Sequence, residues 1–92
     1  MAKDALSLAQ KFFNANKVVG AICWAPVILA RSGILARRKA TCWDGAKDDL
    51  VKAGATYTGE KVTVDNTIIT ADGPESALDF GQTIVKALQG KN

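Results

Sequence analysis

The sequence predicts a layered α/β fold with a mostly parallel sheet. Three observations lead there. Short apolar stretches alternate with segments whose apolar residues recur at helical spacing. The stretch "KVVGAIC", residues 17–23, is apolar at consecutive positions instead of alternating ones. That pattern marks a strand covered on both faces, as in the middle of a parallel sheet. Proline, glycine and aspartate also stand where one pattern gives way to the next.

The elements follow in order. Ala5, Leu6, Ala9, Phe12 and Phe13 share one face of a helix over Ala2–Ala15. The segment "NANK" ends it, since Asn tolerates the left-handed C-cap. The strand Lys17–Cys23 comes next. "APVILARSGIL" is a well-buried helix with Pro26 in its first turn, where a missing N–H costs little. "KATCW" is a short second strand. Asp44 is placed to cap the helix "GAKDDLVKA", and Gly54 to close it. "ATYT" is a third strand. "KVTVDNTIIT" reads as a hairpin turning at Asp65-Asn66. Pro74 and Glu75 open a last helix, with Ala77, Leu78, Gly81, Ile84, Val85 and Leu88 on one face and Gly90 as its stop.

Composition narrows the function. Residues 1–92 fit a single small domain, 48% hydrophobic and 23% charged. No stretch supplies the roughly 18 uncharged apolar residues of a membrane span. The charged start lacks the pattern of a secretory signal, so the expected setting is cytoplasmic, without membrane attachment. With no histidine and no Cys-x-x-Cys, neither a zinc site nor another metal or cofactor site is indicated. Net charge is +3, and the basic run Arg37-Arg38-Lys39 suits a helix C-terminus better than a nucleic-acid face.

Chemistry concentrates at "GAICWAP", Gly20–Pro26. A sharp turn from a buried strand into a helix projects its apex side chain at the carboxyl end of the sheet, where open α/β folds place their sites. Serine hydrolases hold their nucleophile on such an elbow. Cys23 sits at this junction, where helix N–H groups favour thiolate and the Trp24 N–H is a candidate oxyanion donor. The alternative is that Cys23 is a small core hydrophobe. Cys42, inside a strand, is explained by burial. The apolar strand also raises a difficulty. It should be paired on both edges, yet only two other short parallel candidates exist, so something outside these residues is expected to cover an edge.

"VVGAICWAPVILARSGIL", "RKATCW", "DDLVKAGATY", "VTVDNTIIT" and "GPESALDFGQTIVKAL", in that order, resemble the DJ/PfpI superfamily of PfpI-type intracellular proteases and Parkinson's-associated deglycase-like proteins. The resemblance implies a partial flavodoxin-like, class I glutamine amidotransferase-like three-layer sandwich with a terminal hairpin. It covers only the C-terminal half of the family domain and matches Cys23 to the family's reactive cysteine. The usual N-terminal half would supply a strand beside it, a glutamate for the thiol and part of an oxyanion hole. The sequence departs from the family at Trp24 and Trp43, where its two branches carry histidine. It departs again at "ADGP", where Asp72 replaces a basic residue. An indole N–H only donates, so neither Trp can act as the base.

Three functions follow as expectations. One is a cysteine hydrolase, deglycase or glyoxalase with Cys23 and Trp24 at its centre. Its base would come from a separate N-terminal-half chain or a second copy. Another is a non-catalytic half-domain that serves assembly. The third is a redox sensor in which Cys23 is oxidised to sulfinate and Cys42 is not.

Overall fold

The computed structural model describes residues 10–11, 13–15 and 17–90. Most of the expected first helix lies outside them; residues 10, 11, 13 and 14 are helical. The Ala15 N–H donates to the Lys11 carbonyl at 3.0 Å.

Five strands follow: β1 (Val19–Ile22), β2 (Lys39–Ala40), β3 (Thr56–Tyr57), β4 (Val62–Asp65) and β5 (Ile68–Ala71). The α-helices are α1 (Pro26–Arg31), α2 (Lys47–Lys52) and α3 (Ala77–Gly90), and 3-10 turns lead into the last two. The larger sheet runs β1-β5-β4, with β1 parallel to β5 and β4 antiparallel to it. β2 and β3 form a separate parallel pair.

The parallel neighbour of β1 is therefore the second hairpin strand, not β2 or β3. The reason is burial. All four residues of β5 are buried, whereas β2 and β3 are two residues each. An apolar β1 gains most from pairing with the most buried strand on offer. Among the described residues no strand pairs with the other edge of β1.

The β2–β3 pair leans on the hairpin through side chains. The Thr41 N–H donates to Thr70 Oγ1 at 2.9 Å, and Thr41 Oγ1 donates to the Glu60 carbonyl at 2.7 Å. Both threonines are fully buried, so these bonds answer polar groups that water cannot reach.

Local chemistry sets each boundary. Helix α1 ends at Arg31, short of the expected Leu35. Ser32 Oγ donates to the Leu29 carbonyl at 2.7 Å, and Gly33 takes φ 85°. Both pull the chain out of the helix. Asp44 makes no side-chain cap; it starts the 3-10 turn that precedes α2. Gly54, at φ 88°, does close α2. The Ala55 N–H reaches Leu50 and the Gly54 N–H reaches Val51, the double bond of a Schellman ending. The hairpin turns at Asn66-Thr67, one residue later than expected, because Asp65 pairs with Ile68 and Asn66 takes φ 58°.

The core joins Val27, Leu29 and Leu35 to Leu50 and Ile68. Leu35, Leu50 and Ile68 are fully buried. Each contributes roughly 1.5–3 kcal/mol of apolar transfer. Helix α3 packs on the opposite face of β1. A Cβ on Gly20 would lie 3.0 Å from Ile84 Cδ1 and 3.2 Å from Phe80 Cζ, so glycine lets the helix sit this close. The side of α3 toward the sheet is thus Phe80, Thr83, Ile84 and Ala87, all half-buried. Leu78, Val85 and Leu88 of the expected apolar face are exposed.

Candidate functional site

Cys23, Trp24 and Ala25 carry the chain from the end of β1 at Ile22 to the start of α1 at Pro26. The turn is tight because Cys23 adopts φ 65°. An L-residue in this region costs roughly 1–2 kcal/mol. Hydrogen bonds on both sides hold it there. The Cys23 N–H donates to the Ala71 carbonyl at 2.9 Å, at the end of β5. The Cys23 carbonyl accepts from the Trp43 N–H at 2.8 Å, just past β2. The Ala25 N–H closes back on Ile22 at 3.1 Å. Observed strain of this kind, over-determined by its surroundings, is a mark of functional positions.

The elbow leaves Cys23 half-buried. The Trp24 N–H, next in the chain, donates to no acceptor among the described residues. An unused donor beside a sulfur is what developing charge on a substrate oxygen would need. Helix α1 begins at Pro26, whose ring supplies φ without requiring an N–H partner.

The two tryptophans meet over the elbow. Their ring centroids are 5.0 Å apart, with planes tilted by 36°. Trp24 is 53% and Trp43 43% exposed, so the pair forms an outer wall and not core filling. Gly45 makes room for it, since a Cβ there would fall inside the Trp43 ring.

A cleft of about 450 Å³ opens beside Trp43, lined by Cys42, Asp44, Tyr57, Asp72 and Glu75 among others. Its character is acidic. Burial, then the charges of Asp44 and Asp49 and the neighbouring Cys23, push the Cys42 thiol up to about 11. Burial and then Asp44 also raise the Tyr57 hydroxyl. Asp72 accepts from Ser76 Oγ at 2.5 Å, and its N–H donates to the Lys61 carbonyl at 3.1 Å. It fastens the start of the last helix. Among the described residues no three His, Cys, Asp or Glu side chains are grouped as a metal site. None of their helices is long and apolar enough to cross a membrane.

Of the residues singled out in the sequence, Cys23, Trp24 and Trp43 come together. Cys42 joins them, although its place inside an apolar strand suggested only burial. It is fully buried, and the peptide that follows it bonds to the elbow through the Trp43 N–H. The signal was a repeated dipeptide: Cys-Trp ends both the first and the second apolar strand segment.

Comparison with known proteins agrees with this geometry. The chain matches the DJ-1/PfpI family over residues 1–87. It is 46% identical over 89 residues to an uncharacterized protein of Methanocaldococcus jannaschii, covering 95% of this chain and 43% of that one. It is 35% identical over 87 residues to a deglycase of Pyrococcus horikoshii, covering 95% and 52%. A glutathione-independent glyoxalase of Caenorhabditis elegans is 37% identical over 77 residues, covering 84% and 41%. Among solved structures, a ThiJ/PfpI domain protein of Brachyspira murdochii superposes with a TM-score of 0.92 at 31% identity, covering 94% of this chain and 50% of that one. The chain spans about half the length of the relatives it matches. With the family match spanning residues 1–87 and a flavodoxin-like framework shared with the Brachyspira structure, the chain belongs to the DJ-1/PfpI family.

Proposed function

We propose that Cys23 is the nucleophile of a cysteine-dependent enzyme acting on small reactive carbonyl compounds. The observation that carries this is the Cys23 elbow, held at φ 65° beside the unused Trp24 N–H. In the step proposed, the Cys23 thiolate adds to a carbonyl carbon. A C–S bond forms and the π pair moves to oxygen, where the Trp24 N–H donates to it. The deglycase and glyoxalase names of two relatives support the substrate class.

The base lies outside these 92 residues. This chain has no histidine, and tryptophan stands at both candidate positions. Among the described residues β1 has an unpaired edge and α3 exposes Leu78, Val85 and Leu88, which supports further protein covering this face. Either a second copy or the remaining half of the domain serves. A reducing, cytoplasmic setting suits two unpaired cysteines.

The test is glyoxal consumption by the native assembly. Cys23→Ala should reduce it to background while Cys42→Ala retains it. Activity that survives Cys23→Ala overturns the reading. A second reading, an assembly module without catalysis, is favoured by the tryptophan pair standing where bases are expected; a native assembly inert toward carbonyl compounds would support it.

A further inference from the structure

Two cysteines in a chain of 92 residues have been brought to the same place. The Trp43 N–H to Cys23 carbonyl bond of 2.8 Å joins the backbones on which both thiols ride. With standard bond lengths and trigonal angles at the two carbonyl carbons, that bond limits the Cys23–Cys42 Cα separation to at most about 7.6 Å, and any further bend in the path shortens it. Disulfides span about 4.4–6.8 Å between Cα atoms. The side chains sort in the matching way. Trp24 and Trp43 stack on the outer side, while Cys42 is fully buried.

Their accessibilities differ in a useful sense. Cys23 is half-buried and within reach of a small oxidant. Cys42 is fully buried and so is kept from direct attack by the oxidant.

We propose that Cys23 and Cys42 form a reversible intrachain disulfide when the protein meets a hydroperoxide. The Cys23 thiolate attacks the peroxide oxygen and becomes sulfenic acid, and the peroxide leaves as hydroxide or alkoxide. The Cys42 sulfur then attacks the Cys23 sulfur. An S–S bond forms, the S–O bond breaks, and the Cys42 proton leaves with the oxygen as water. Two electrons pass from the two thiols to one peroxide. A dithiol reductant reverses the bond. The link caps the nucleophile and preserves it from sulfinate. It stands on the placement of the two thiols and not on the catalytic reading, so either can fail alone.

Non-reducing peptide mapping tests it. The protein in its native assembly is treated with hydrogen peroxide, free thiols are alkylated, and trypsin is added. Cleavage after Lys17, Arg31, Lys39 and Lys47 puts the cysteines in the separate peptides 18–31 and 40–47. The expected product is these two peptides joined, within a single chain on a non-reducing gel and released by dithiothreitol. In Cys42→Ser, Cys23 should pass to sulfinate instead. Sulfinate at Cys23 of the wild type without the 18–31/40–47 link overturns the proposal, as do links found only between chains.

Discussion

Replacing Cys23 by glycine should stabilise the protein relative to replacing it by alanine. Both substitutions remove the thiol, so they differ in backbone freedom and one methyl group. The φ of 65° at Cys23 costs an L-residue roughly 1–2 kcal/mol. Glycine escapes that cost but surrenders roughly 0.5–1 kcal/mol more chain entropy on folding. The mid-range net difference is about 0.75 kcal/mol in favour of glycine. For a domain of this size that corresponds to about 3–6 °C in Tm. Thermal melts of Cys23→Ala and Cys23→Gly at one protein concentration measure it. Concentration must be matched because association contributes to apparent stability. Equal melting, or a more stable alanine variant, would refute the claim that the elbow stores backbone strain.

Other outcomes follow from the same geometry. Thr70→Val keeps the shape of a fully buried side chain but removes the acceptor of the Thr41 N–H, and should cost about 1–3 kcal/mol in a denaturant titration. Gly45→Ala would drive a methyl group into the Trp43 ring, so the ring must leave Trp24; near-UV circular dichroism should lose the signature of the stacked pair. The thiolate fraction of Cys42 rises about tenfold per pH unit below its pKa, which lies at about 11 beside Asp44, Asp49, Cys23 and Tyr57. Decay of a preformed Cys23 sulfenate, followed with a dimedone-type trap, should therefore accelerate from pH 7 to 10, and a flat profile would contradict thiolate attack by Cys42.

Much of the fold was legible because its signals are local. Pro26 and Pro74 stand where helical segments begin, and Gly54 supplies the positive φ that ends α2. The consecutive apolar residues of β1 marked it as a sheet strand, and the junction after it marked the elbow. The rest depended on contacts distant in sequence. The pairing of Val19 with Ile68 leaves no trace in either segment's own pattern. Neither does the side of α3 that faces the sheet, because its apolar arc is wider than the part Phe80 and Ile84 bury. The one-residue offset of the hairpin turn arises because Asp65 still pairs with Ile68, and Asp65 also accepts from the Lys39 N–H at 2.7 Å. The meeting of the two Cys-Trp dipeptides is the largest gain from the structure. Burial explained Cys42 from sequence alone; only the bond between Trp43 and Cys23 shows that its backbone runs beside the elbow.

The central claim is that the fold presents Cys23 for reaction and withholds Cys42. Iodoacetamide alkylation of the folded protein, quantified separately on the two tryptic peptides, tests it most directly. Raising a thiol from its ordinary 9.0 to about 11 lowers its thiolate fraction about a hundredfold at neutral pH, and full burial slows it further. The account predicts that Cys23 is alkylated while Cys42 reacts at least about a hundredfold more slowly than it does in the denatured chain. Equal rates at the two cysteines in the folded protein, or faster labelling of Cys42, would contradict it.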